Sequence, residues 1–169
     1  MRTLILLALM LATGGVAAAA ADTAVAARAI LEKSIATPTV AGRGEVPGYA
    51  HWLAGRLQEG GFADGDIGII PVGETAALLA RYPGRDRSLP PLVLSVHMDV
   101  VEAKREDWVR DPFTLTEADG FFFGRGVADN KFDLAMLVAV LADMRRGGYV
   151  PPRDIVLALS GDEDRKSTR

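Results

Sequence analysis

The stretch Leu92-Val-Leu-Ser-Val-His97-Met-Asp-Val-Val101 decides the fold. Its first five residues are an almost unbroken apolar run, the pattern of a central strand buried on both faces. The run breaks into His97 and Asp99. A second run, Ile155-Val-Leu-Ala-Leu159, breaks in the same way into Ser160-Gly-Asp-Glu163. Between them, Lys131 to Arg146 carries Leu134, Leu137, Val138, Leu141 and Met144 at helical spacing and ends on Gly147-Gly148. Ala135, Ala139 and Ala142 occupy its other faces, so this helix is expected to pack on more than one side. Strands alternating with helices predict an α/β fold with a mixed central sheet flanked by helices. In such sheets ligands bind beyond the carboxyl ends of the strands. A histidine and several carboxylates are thereby expected at one sheet edge.

Working outward, the spacing predicts a helix from Ala24 to Ile35, stopped by Pro38, and a second from Pro47 to Glu59, stopped by Gly60-Gly61. Tyr49, Ala50, Leu53 and Leu57 share one face of the second. Ile67–Val72 and Ala76–Tyr82 read as strands joined at Gly73-Glu74. Residues 102–126 read as loop. Of 169 residues, 49% are hydrophobic and 24% charged, which predicts a globular chain and not a disordered one. A net charge of -3 without a basic stripe argues against a nucleic-acid partner. The chain has no cysteine, so a metal site must be built from histidine and carboxylates.

His97 is the first ligand candidate. Strand alternation would point His97 and Asp99 the same way, letting Asp99 hold the imidazole and set its tautomer. Taken alone, the pair reads equally well as a satisfied core histidine beside an aspartate. The only other histidine, His51, falls in the second helix and reads as a surface residue. Asp129 precedes the long helix, where by itself an aspartate reads as an N-cap, and Glu163 by itself reads as a solvated loop acid. Gly124-Arg-Gly126 is too short for a phosphate loop and no Gly-Lys-Ser/Thr follows it, which excludes that form of nucleotide binding.

The constellation says more than its parts. His97-Met-Asp-Val-Val101, Trp108, Asp111-Pro-Phe113, Gly120, Gly124-Arg-Gly126, Asp129-Asn-Lys131 and Gly161-Asp-Glu163 resemble, in order and spacing, the zinc metallopeptidase family of aminoacylase, acetylornithine deacetylase, succinyl-diaminopimelate desuccinylase, glutamate carboxypeptidase and carnosinase-like dipeptidases. The resemblance implies a metal-dependent hydrolase of peptide or N-acyl amino-acid amide bonds holding two Zn2+ ions, with Co2+ or Mn2+ as alternatives. It implies that His97 binds one ion and Asp129 bridges both, with a cis Asp129–Asn130 bond. Asp99 would support His97. Glu163 would be the general base, taking a proton from the attacking water and passing it to the leaving amine. A small-metabolite N-deacylase and a non-catalytic fragment or pseudoenzyme binding module are the alternative readings.

Three segments are expected. Residues 1–21 read as a signal peptide: basic Arg2, apolar Leu4–Met10 and a small-residue exit at Ala17–Ala21, which implies a secreted or periplasmic protein. Gly14, Gly15 and the alanine-rich end argue against a stable membrane anchor. Residues 22–163 read as the N-terminal part of a metallopeptidase catalytic domain. Asp164-Arg-Lys-Ser-Thr-Arg169 departs from the family pattern, which has a second metal-binding Glu at position 164, and reads as translated sequencing-library adapter, a non-native tail. The family's further ligands and its dimerisation domain are absent from this sequence. The chain is therefore expected to be inactive by itself, and a homodimer is expected only of the full-length parent.

Overall fold

The computed structural model describes residues 21–163; the expected signal peptide, apart from its last residue, and the expected tail lie outside the described residues. Helix α1 covers residues 21–35 and ends just before Pro38, which cannot supply a helical N–H. Helix α2 is Glu45–Glu59, two residues longer at its start than expected. Pro47 sits in its first turn, where no N–H is needed, and Gly44 enters it with φ 68°. Strands β1 (Ile67–Val72) and β2 (Thr75–Tyr82) form an antiparallel hairpin. Strand β3 is Leu92–His97, and a small hairpin of β4 (Thr116–Ala118) and β5 (Phe121–Phe123) interrupts the stretch expected to be loop. Helix α3 is Phe132–Arg146 and strand β6 is Ile155–Ser160.

The main sheet has the order β1-β2-β6-β3 and is mixed: β2 runs antiparallel to β6, and β3 runs parallel to it. The parallel pair needs a crossover, and α3 lies on it. Alternation along the strands sorts residues to two faces. Leu78, Ala80, Leu157 and Leu159 are buried in one core with Ile30, Leu31 and Ile35 of α1, Tyr49, Leu53 and Leu57 of α2, and Leu134 and Val138 of α3. Ala135, Ala139 and Ala142 are also buried, so α3 packs on more than one side as its alanines predict.

Two expectations change. β3 is not central. It pairs only with β6 among the described strands, and Leu92 and Val93 are half exposed. An apolar run cannot by itself distinguish a strand covered by neighbours within the described residues from one whose far side is open. The helices cover one face of the sheet; Ile70, Val72, Leu79 and Val93 remain exposed. Val25 of α1 is exposed as well, and Ala27 takes the inward position. No helix among the described residues is long and apolar enough to cross a membrane.

Candidate functional site

Because β3 and β6 are parallel, their carboxyl ends coincide. His97 is in register with Ser160, and the Met98 N–H donates to the Ser160 carbonyl at 2.7 Å. This brings the two polar strand exits to one edge. Gly161 is required there: a Cβ would lie 2.5 Å from the Ala76 carbonyl oxygen and from Thr75 Oγ1. The chain bearing Asp162 and Glu163 thereby passes close against β2.

Asp129 reaches the same edge from the turn before α3. Residues Val127–Lys131 make a five-residue turn before α3, kinked at Asp129 and Asn130, with a cis Asp129–Asn130 peptide bond. The aspartate is not an N-cap: Lys131 occupies that position, with no side-chain cap bond. Its carboxylate is 80% exposed, whereas the imidazole it faces is 6% exposed, and Asp129 Oδ1 lies 3.0 Å from His97 Nε2.

The other ring nitrogen fixes the chemistry. His97 Nδ1 is 2.9 Å from the backbone oxygen of Asp99. A carbonyl oxygen only accepts, so Nδ1 carries the hydrogen and donates it. Nε2 then presents its lone pair toward a carboxylate oxygen, and those two acceptors attract only through a shared cation, either a proton or a metal ion. The short contact from Asp99 to the imidazole is made by its main chain, and its carboxylate is 3.7 Å from Nδ1. β3 stops at His97, so the strand alternation that would bring the Asp99 carboxylate alongside does not extend to it.

Two neighbours passed over in the sequence reading complete the edge. Asn130 Oδ1 accepts the His97 backbone N–H at 3.2 Å. Lys131 is fully buried, its Nζ donating to the carbonyls of Ser34 at 2.7 Å and Thr37 at 2.8 Å. Burial pulls its pKa down to about 7, opposed by the negative charge of Asp99. The signal for Lys131 lay in the helical spacing: it falls three residues before Leu134 and seven before Val138, on the stripe that enters the core.

Glu163 is exposed, and among the described residues no ion pair joins it to His97. No group of three or more His, Cys, Asp or Glu able to hold a metal gathers among the described residues. His97 and Asp129 nevertheless fit a divalent ion as two donors of a larger set. They are the imidazole and carboxylate types Zn2+ takes, and their 3.0 Å separation is within reach of one ion bonded at about 2 Å to each. His51 is exposed on α2.

The chain is similar to several known proteins. The model of Peptidase family M20/M25/M40 matches residues 93–168. The N-fatty-acyl-amino acid synthase/hydrolase PM20D1 of Bos taurus is 40% identical over 86 residues, 51% of this chain and 17% of that protein. The succinyl-diaminopimelate desuccinylase of Delftia acidovorans is 35% identical over 137 residues, 80% of this chain and 35% of that protein. Among solved structures, the di-peptidase Dug1p of Saccharomyces cerevisiae superposes with a TM-score of 0.69 at 26% identity, over 84% of this chain and 33% of that one. The chain thus spans about a third or less of the proteins it matches. Over residues 93–168 the chain is thus similar to Peptidase family M20/M25/M40.

Proposed function

We propose that residues 22–163 are the N-terminal part of the catalytic domain of a metal-dependent hydrolase that cleaves peptide or N-acyl amino-acid amide bonds. The observation that carries this reading is the His97 imidazole, its Nδ1 hydrogen committed to the Asp99 carbonyl and its Nε2 turned to the Asp129 carboxylate at 3.0 Å. The relatives bear the names of a desuccinylase, an N-fatty-acyl-amino acid synthase/hydrolase and a di-peptidase.

His97 and Asp129 would hold the metal, Zn2+ in our reading, together with donors from beyond residue 163. When bound, such an ion supplies Lewis acidity and lowers the pKa of water toward 7. The remaining work falls to the chain. Asp99 fixes the His97 tautomer through its carbonyl. Glu163, at the exit of β6, takes the proton of the attacking water at its carboxylate and delivers it to the departing nitrogen. Its exposure is compatible with that task only once further residues and the substrate close over it. We further propose export of the protein out of the cytoplasm, directed by residues 1–21, and homodimerisation of the longer protein.

The test is made on the longer protein that contains residues 22–163. It should hydrolyse N-acyl amino acids or dipeptides, lose activity to a chelator and regain it with Zn2+. Glu163→Gln should lower the rate on the order of 100-fold or more with metal content unchanged. Residues 22–169 alone should hydrolyse nothing. Hydrolysis that ignores the chelator, or a Glu163→Gln protein with full activity, would refute the reading.

A further inference from the structure

Lys131 is the one lysine among the described residues that is completely buried, and no step above uses it. Its surroundings are specific. Nζ donates to the carbonyls of Ser34 and Thr37, at and just beyond the last turn of α1. The Ser34 oxygen, in the last turn of α1, also accepts the Thr37 N–H at 3.3 Å and carries part of the negative end of the helix dipole, and the Thr37 oxygen also accepts the Thr39 N–H at 2.9 Å, so a buried cation suits this pair of carbonyls. Nζ also lies 5.4 Å from the centre of the Tyr49 ring, a cation–π contact from α2. The lysine stem has a path made for it. Gly126 has φ 86°, and a Cβ there would meet Val100 Cγ1 at 2.7 Å and Lys131 Cδ at 3.2 Å. The Lys131 N–H donates to the Gly126 carbonyl at 2.7 Å. The residue between Lys131 and Asp129 is tied in the other direction, Asn130 Oδ1 accepting the His97 N–H.

We infer that Lys131 is a positioning residue, whose ammonium clamps the kinked turn to the end of α1 and so sets the Asp129 carboxylate against His97. The turn is held at both sides of Asp129's successor: by Asn130 to the exit of β3, and by Lys131 to α1. Without the second tie the turn can swing on the first, and Asp129, four-fifths exposed, has no packing of its own to hold it. This inference rests on the assignment of His97 and Asp129 to the site, but its test uses no metal and no activity, so either can fail alone.

The chain contains two histidines, so its histidine-15N spectrum has two ring patterns. In the metal-free full chain, Lys131→Met should move the His97 ring nitrogens to the positions they take in Asp129→Ala, with His51 unmoved. Because the chain has no cysteine, Lys131→Cys can be alkylated uniquely under denaturant and refolded. Bromoethylamine, which restores an ammonium at nearly the original length, should return the native His97 pattern; bromopropane, which adds a neutral chain of like length, should not. If Lys131→Met does not fold, Lys131→Gln is read in its place. A native His97 pattern in a folded neutral variant, or failure of the aminoethyl adduct to restore it, overturns the inference. Failure of both neutral variants to fold assigns Lys131 a structural role only and overturns it likewise.

Discussion

Tyr49 links the core to the site at the level of one side chain. Its hydroxyl donates to Ser34 Oγ, which in turn donates to the Ile30 carbonyl, and its ring lies beneath the Lys131 ammonium. Burial raises the Tyr49 pKa above its ordinary 10.0, with the Ser34 bond pulling the other way. The unfolded chain therefore ionises at lower pH than the folded one. Stability from this group is complete below pH 10 and is lost as pH rises from there toward the folded pKa. Tyr49→Phe should cost about 1 kcal/mol at neutral pH, the worth of one buried hydrogen bond. It should also flatten the alkaline fall in stability above pH 10, as read from urea unfolding across a pH series. An unchanged alkaline slope would mean that Tyr49 does not titrate with unfolding. The roles of Asn130 and Lys131 were hidden at this scale. Each works through a partner far away in sequence, His97 for one and Ser34 and Thr37 for the other, and only the folded chain brings them together.

At the scale of elements, periodicity carried most of the reading. The apolar faces of α2 and α3, both hairpin strands and the glycine stops all follow from spacing, because burial on one side of a helix or strand imposes its period on the sequence. The β4–β5 hairpin did not show, since three-residue strands leave too short a pattern to detect. The edge place of β3 did not show either, because its apolar run fits cover on both sides while the described residues supply it on one. The two faces of β2 make this measurable. Leu78 is fully buried and Leu79 is 39% exposed. Leu78→Ala should cost about 2–5 kcal/mol and Leu79→Ala about 1 kcal/mol or less, compared by thermal unfolding. Equal losses would show the outer face to be covered in solution.

For the whole molecule, one fact of topology gathers the chemistry: β3 and β6 are parallel neighbours, so both end at the same edge, where the turn before α3 also arrives. The histidine, the aspartate and the approach of the β6 exit were legible from the order of strands and helices. That the His97 tautomer is set by a backbone carbonyl was not, because main-chain acceptors leave no trace in the identity of a side chain. The central claim is that His97 and Asp129 together receive a divalent ion at this edge. It is tested most directly by adding Zn2+ to the chain labelled with 15N at histidine. The account predicts that Nε2 of His97 shifts while the His51 ring stays in place, and that Asp129→Ala abolishes or greatly weakens the response. A His97 pattern unmoved by Zn2+, or a response undiminished in Asp129→Ala, would contradict it.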